Sequence, residues 1–328
     1  LGMRILIVKL SSLGDVVHAL PVVADLRAAM PQATLDWVVE PAFAPLLQRV
    51  EGVAEIIEAP LRSWARRGWL APQTWSEMRA FASRLRRERY QAVFDLQGLT
   101  KAAVIAALAR GPSWGLANQT EGASHEWPAR ALVDYPVRVE PHVHALDRSR
   151  LLVGRGLDMP LLERPCFGLV GWPLLDVGQS AKRAVVLIHG SSRRDKMWPE
   201  ASWVEIGRRL RAAGQRIALP QSSDEEGERA RRICNAIGDA CEVWPAMDLG
   251  ALVDRMAVTA GVIGVDSGPS HIAVALGLPH VQIYNFPTAW RTGPQPLHAG
   301  PHQVAVGTGD SLPSVDVVWA AWQAVNAP

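Results

Sequence analysis

Short apolar runs alternate with amphipathic stretches along nearly the whole of this 328-residue chain, and the alternation lapses only once. Residues 4–9, 34–39, 55–58 and 92–96 read as buried strands. Helical spacing lies between them, first through Val16, Val17, Leu20 and Val23, then over 43–47, 73–88, 101–109 and 142–153. Pro21 falls inside the first helical pattern and is expected to kink or interrupt it. Residues 118–135 carry little periodicity and read as a loop. Residues 154–179 hold Pro160, Pro165, Gly168, Gly171, Pro173 and Gly178 without a period, which marks a connection. Beyond it the alternation restarts: strand 184–188, helix 201–213, strand 216–219, helix 225–236, strand 261–265 with a helix behind it, strand 280–284, and a last helix over 315–324.

Strands alternating with helices on both sides of a linker predict two parallel-sheet α/β domains. The expected division is a first domain over 3–156, a linker over 157–182 and a second domain over 183–328. The last helix is left free to pack back on the first domain. Open α/β sheets bind ligands at the carboxyl ends of their strands, so two such domains facing each other would enclose a cleft.

A hydrophobic fraction of 48% is that of a globular protein. No apolar run approaches the roughly 20 residues that span a bilayer, and no secretory-signal pattern precedes the first strand. The expectation is therefore a soluble, cytoplasmic protein. Cys166, Cys234 and Cys241 form no CxxC pair and no metal spacing, and are expected to be free thiols filling the core in a reducing compartment. A net charge of +2 argues against a nucleic-acid partner. Between residues 61 and 90, however, eight arginines stand against Glu77 and Glu88, with Trp64, Trp69 and Trp75 among them. Such a patch suits a phosphorylated or carboxylated ligand or an anionic membrane surface; it equally suits the solvated face of helix 73–88.

No GxGxxG follows a strand, and GxxxxGK[ST], HExxH and GxSxG are absent. Three strand-end loops remain as candidates. In Ser11-Ser12-Leu13-Gly14-Asp15, the aspartate either caps the following helix or serves as a general base. In the loop 189–199, Ser191, Ser192, Arg193, Arg194 and Lys196 crowd between a strand and a proline-started helix, as a phosphate site or as a surface turn. In Asp266-Ser267-Gly268-Pro269-Ser270-His271, small polar residues open a helix whose free N–H groups and dipole favour an anion. The ordinary alternative there is a capped strand–helix junction.

These blocks, taken in order, resemble glycosyltransferase family 9, the heptosyltransferases. Arg4-Ile-Leu-Ile-Val-Lys-Leu-Ser-Ser-Leu-Gly-Asp-Val-Val-His18 is similar to the family's opening. Asp36-Trp-Val-Val-Glu40, Asp95-Leu-Gln-Gly98, Asp195-Lys-Met-Trp-Pro199 and Asp266–His271 are similar to later blocks. The resemblance runs from Met3 through essentially the whole chain. Ser-Ser-Leu-Gly-Asp together with Asp-Lys-Met-Trp-Pro is closer to the type I than to the type II branch.

The resemblance implies a GT-B fold, two facing Rossmann-like domains with a cleft between them. It also implies inverting, metal-independent transfer of L-glycero-D-manno-heptose from ADP-heptose to the first Kdo of Kdo-lipid A, in lipopolysaccharide inner-core biosynthesis. The alternative is a type II or other family 9 enzyme with a different acceptor. Asp15 falls on the family's catalytic base, with Ser11, Ser12 and Gly14 shaping its loop. Ser191, Ser192 and Lys196 fall on residues that hold the donor diphosphate, and Lys196 would also stabilise the leaving group. Glu226 falls on the ribose contact and Met247 on the adenine contact. Asp266, Ser267, Gly268 and His271 fall on the turn around heptose and phosphates. Arg62, Arg66 and Arg67 become candidate acceptor contacts. No cofactor, metal or nucleic acid is implied; peripheral contact with the cytoplasmic face of the inner membrane is. Tyr284-Asn-Phe-Pro-Thr-Ala-Trp290 departs from the family's Tyr-Gly-Pro-Thr-Asp-Pro segment. Serines stand at 191, 192 and 267 where the family has threonines, keeping the hydroxyls.

Overall fold

A computed structural model of the chain describes residues 2–173, 184–295, 300–307, 309 and 311–327. The chain divides into two compact units, residues 1–168 and 169–328. Of the expected linker, 174–182 lies outside the described residues.

The first unit carries β1 (Arg4–Val8), β2 (Thr34–Val39), β3 (Val53–Glu58), β4 (Ala92–Asp95), β5 (Ser113–Leu116) and β6 (Tyr135–Val137). All its pairings are parallel, in the order β3-β2-β1-β4-β5-β6. The second unit carries β7 (Ala184–Ile188), β8 (Arg216–Leu219), β9 (Cys241–Val243), β10 (Gly261–Val265), β11 (His280–Ile283) and β12 (Gln303–Val306). These are parallel too, in the order β12-β11-β10-β7-β8-β9. Each sheet thus reverses direction once, between β1 and β4 and between β7 and β10. That crevice is where doubly wound sheets receive ligands.

The central strands are continuous apolar runs because helices cover both faces. Ile5 to Val8 and Val185 to Leu187 are all fully buried. In the first unit Leu6, Val8, Val38, Ile57 and Val93 form a core with Leu85 and Ile105 from the flanking helices. In the second, Trp198 and Trp203 meet edge to face at 5.0 Å beneath Val185 and Leu187. Pro21 interrupts the first helix as expected: Leu13–Ala19 ends at Leu20, and Pro21 opens a second helix to Ala29.

Three corrections and one refinement of the sequence reading follow. The stretch read as a loop over 118–135 holds a helix, Trp127–Leu132, and the start of β6. Strands β5, β6, β9 and β12 and the helix Leu61–Arg67 had no recognisable pattern. The last helix, Val315–Val325, left free in the sequence reading to pack on either domain, packs within the second unit. Its Val318, Trp322 and Val325 pack with Val281, Ile283 and Val306 of the second unit's own sheet. Finally, Cys234 and Cys241 are disulfide-bonded rather than free. Cys234 lies in the last turn of the helix Asp224–Ile237, and the turn at Gly238 (φ 106°) returns the chain so that the two Cα atoms lie 5.1 Å apart. Cys166 is a free, exposed thiol.

Candidate active site

Both reversal points are lined with polar groups, and each is described within its own unit. In the first, β1 is followed by Lys9, which is 1% exposed and donates to the Leu96 carbonyl at 3.0 Å. The chain then turns through Leu10 and Ser11, whose N–H groups both donate to Gln97 Oε1, at 3.1 and 3.3 Å. Ser12 opens the helix Leu13–Ala19, with Gly14 in its first turn. Ser12 donates to Asp15 Oδ2 twice, from its backbone N–H at 3.2 Å and from its hydroxyl at 2.7 Å. Arg148 approaches the other oxygen at 3.7 Å. Asp15 therefore does cap its helix, and its side chain is still 39% exposed. The two readings of this residue are compatible.

Burial alone would raise the Asp15 pKa. The Lys9 ammonium, the Ser12 hydroxyl, Arg148 and His18 outweigh it and hold the carboxyl well below the usual range. Lys9 is itself pushed down to about 8 by burial. Beside it Asp95, which accepts from the N–H groups of Gln97 and Gly98 at 2.8 and 3.2 Å, is pushed up to about 6 by burial. Lys9, Asp95 and Arg148 were not among the sequence candidates. Two signals were available: a lysine closing an otherwise apolar run, and the place of Asp95 in the Asp95-Leu-Gln-Gly98 block.

The arginines divide. Glu40, at the end of β2, accepts the backbone N–H of Arg62 and donates its own N–H to the Leu10 carbonyl at 3.2 Å. Arg62 thus starts at the rim that carries Ser11–Asp15. Arg66 is exposed on the helix Leu61–Arg67. Arg67 instead turns to Glu77, which it grips through both terminal nitrogens at 2.7 and 3.0 Å.

In the second unit the loops after β7 and β10 meet. Lys196 donates to Asp266 Oδ2, and His271 Nε2 lies 3.4 Å from Oδ1. Burial alone would raise the Asp266 pKa, but His271 and Lys196 together hold it well below the usual range. Ser267 and Gly268 open the helix Gly268–Ala275, and the buried Ser267 hydroxyl has no protein partner among the described residues. The helix packs closely on β10 because Gly264 has no side chain: a Cβ there would strike the Ser270 hydroxyl and Ile188. Behind the ion pair, Gln282 bridges His271 Nδ1 at 3.4 Å and the Tyr284 hydroxyl at 3.0 Å, all three buried.

The loop after β7 runs through the partly exposed Ser191 and the exposed Ser192. Buried residues at both ends hold it. His189 meets the Pro220 carbonyl at 3.3 Å, and the Trp198 carbonyl accepts from Arg229 at 2.6 Å. Glu226 accepts from the Ser222 N–H and hydroxyl, each at 2.6 Å, and a Cβ on Gly190 would collide with its carboxylate. Met247, beyond β9, is partly exposed. The divergent segment after β11 joins the same loop: Asn285 donates to the Asp195 carbonyl, and Arg193 lies 6.0 Å over the Phe286 ring.

Two polar strand-end constellations thus stand on two Rossmann-ordered sheets, and comparison with known proteins places the chain in a family. The profile of glycosyltransferase family 9 (heptosyltransferase) matches residues 78–311. Lipopolysaccharide heptosyltransferase 1 of Escherichia coli K12 is 35% identical over 285 residues, 86% of this chain and 88% of that protein. The E. coli heptosyltransferase WaaC solved with ADP superposes with a TM-score of 0.85 at 32% identity, over 97% of this chain and 98% of that one. The same enzyme with ADP-2-deoxy-2-fluoro heptose gives 0.81 at 31%, with the same coverage. The two parallel sheets are those of the GT-B fold, and the chain belongs to glycosyltransferase family 9, the heptosyltransferases.

Proposed function

We propose that this enzyme transfers L-glycero-D-manno-heptose from ADP-heptose to the first Kdo of Kdo-lipid A, with inversion and without a metal, in lipopolysaccharide inner-core biosynthesis. The observation that carries the reading is the Lys196–Asp266–His271 cluster at the reversal point of the second sheet, in a chain whose relative of the same fold was solved with ADP.

As the bond from heptose to ADP breaks, negative charge develops on the diphosphate. Lys196, the N–H groups opening the helix Gly268–Ala275 and that helix's dipole would stabilise the charge, with Ser191, Ser192 and the unpartnered Ser267 hydroxyl as donors. Asp266 and His271 hold Lys196 and the sugar. Glu226 meets the ribose and Met247 the adenine. Asp15 takes the proton of the acceptor hydroxyl as it attacks the anomeric carbon, and its anionic state is secured by Lys9 and Arg148. Ser11, Ser12 and Gly14 fix its loop. Arg62 and Arg66 face the acidic acceptor, while Arg67 serves mainly to hold Glu77. The acceptor is an amphiphile, so the enzyme works against the cytoplasmic face of the inner membrane as a peripheral protein.

The test is ADP release from ADP-heptose in EDTA, with and without Kdo-lipid A. Acceptor-dependent release under chelation is the expected result. Release only with an acceptor that already carries heptose would move the chain to the type II activity. No binding of ADP-heptose would overturn the reading.

A further inference from the structure

Residues 61–85 form a helical hairpin in the first unit, Leu61–Arg67 and Pro72–Leu85, joined by a short turn at Gly68 (φ 99°). Its base is built into the core through Leu61, Phe81 and Leu85. The arms are locked together by Glu77, which accepts from Trp64 Nε1 at 2.8 Å and from Arg67, and by the Trp64–Phe81 ring contact at 5.7 Å. The tip is different. Leu70 is 85% exposed, and Trp69 and Trp75 are about half exposed, three large apolar side chains within seven residues. Isolated exposed apolar residues are ordinary, but a rigidly held cluster of them marks a contact surface. The hairpin carries five arginines against one glutamate, a net charge of +4. Arg79 follows Trp75 by one helical turn and shares its face. Tryptophan beside arginine, with one projecting leucine, is the composition of a bilayer interface: the rings settle at headgroup level while the guanidinium groups meet phosphates.

We propose that the tip of this hairpin, Trp69, Leu70 and Trp75 with Arg79, is the surface by which the enzyme docks on an anionic bilayer. The proposal rests on the lipid-acceptor reading above and adds the place of contact. Arg62, the start of the hairpin, lies at the rim that carries Asp15, so docking there brings the bilayer to the strand ends where the acceptor hydroxyl must be deprotonated.

The experiment compares the whole protein with its Leu70→Ser/Trp75→Ser variant. Both are sedimented with vesicles of phosphatidylglycerol and phosphatidylethanolamine, and both are assayed on a deacylated, water-soluble Kdo-lipid A backbone. The wild type is expected to sediment with anionic vesicles, less in high salt. The variant is expected to lose at least 10-fold in vesicle affinity with turnover on the soluble acceptor unchanged, which also shows that it folds. Equal sedimentation of the two proteins, or no binding of the wild type, overturns the docking surface while soluble-acceptor turnover leaves the transferase reading standing. Self-association of the wild type that the variant abolishes, without vesicle binding, assigns the tip to a second copy and overturns the proposal. Vesicle binding with no turnover on any acceptor overturns the functional reading and leaves the docking surface standing.

Discussion

The Lys196 ammonium donates to the Asp266 carboxylate across 70 residues of sequence, joining the loops that follow β7 and β10. Because the pair sits where the second sheet reverses, its geometry depends on the parallel register of those two strands and on the loop tethers at His189 and Trp198. Under the proposed mechanism Lys196 meets charge that is larger in the transition state than in the ground state. Lys196→Gln should therefore lower kcat by about 10²- to 10³-fold. ADP affinity should fall far less. Steady-state ADP release and calorimetric ADP titration separate the two effects, and an unchanged kcat would remove Lys196 from the chemistry.

Asp15→Asn should cost on the order of 10²-fold or more in kcat with donor binding kept. The more discriminating variant is Lys9→Met. Lys9 favours the Asp15 anion, so removing its charge raises the Asp15 pKa. In wild type the acid limb of the pH–rate profile should lie well below the usual carboxylate range, because Lys9, Ser12 and Arg148 favour the Asp15 anion. In Lys9→Met it should move to higher pH, while the rate near neutrality changes much less than in Asp15→Asn. A variant with an unmoved acid limb would show that Lys9 serves only to hold the Leu96 carbonyl.

Much of this was legible in the sequence, for a reason that also explains the gaps. The central strands β1, β4, β7, β10 and β11 are buried on both faces and read as apolar runs. Ser113–Leu116 and Tyr135–Val137 hold Trp, Gly and Pro, and become strands only because a neighbouring backbone is there to pair with. Asp15, Lys196 and Asp266 announced themselves by their place after a strand. Lys9, Asp95 and Arg148 did not, because burial and charge proximity arise only once the sheet is assembled. The same holds for Cys234 and Cys241, whose seven-residue spacing means nothing until the Gly238 turn closes it.

Away from the site, Arg150 grips Asp25 with Nε at 2.7 Å and Nη2 at 2.9 Å, and both are nearly fully buried. The same carboxylate accepts the Leu162 N–H at 2.9 Å, fastening the chain that leaves the first unit's last helix. Asp25→Ala would strip a buried guanidinium of its bidentate partner, leaving it only the more distant Asp147 at 3.7 Å and the Leu162 carbonyl, and should cost roughly 3–5 kcal/mol. A urea titration should show a lower midpoint with little change in slope. Replacing both partners, as Asp25→Leu/Arg150→Met, should recover most of that loss. If the double variant is no better than the single, the hydrogen bond that Asp25 accepts from the Leu162 N–H matters more than the charge pair.

Acid sensitivity should come in two windows. His189 and His280 are fully buried and pushed down to about 4 by that burial. An unfolded histidine titrates near 6.5, so between about pH 6.5 and 4 the unfolded chain binds more protons and stability falls as pH falls. Each histidine contributes at most roughly 3 kcal/mol over that window. Asp15 and Asp266 are also shifted downward, but from a lower starting value: their contribution is present above the unfolded carboxylate pKa near 4 and is lost only as pH falls below it. His280 holds its place through Nδ1, which donates to the Val262 carbonyl at 3.0 Å, and asparagine retains a donor at that position. Denaturant midpoints measured from pH 7 to 3 should show a shallower slope between 6.5 and 4 for His280→Asn, with the steeper loss below pH 4 intact. An identical slope in that window would mean that His280 takes up its proton in the folded protein, through an opening of the β10–β11 pair that the static structure does not contain.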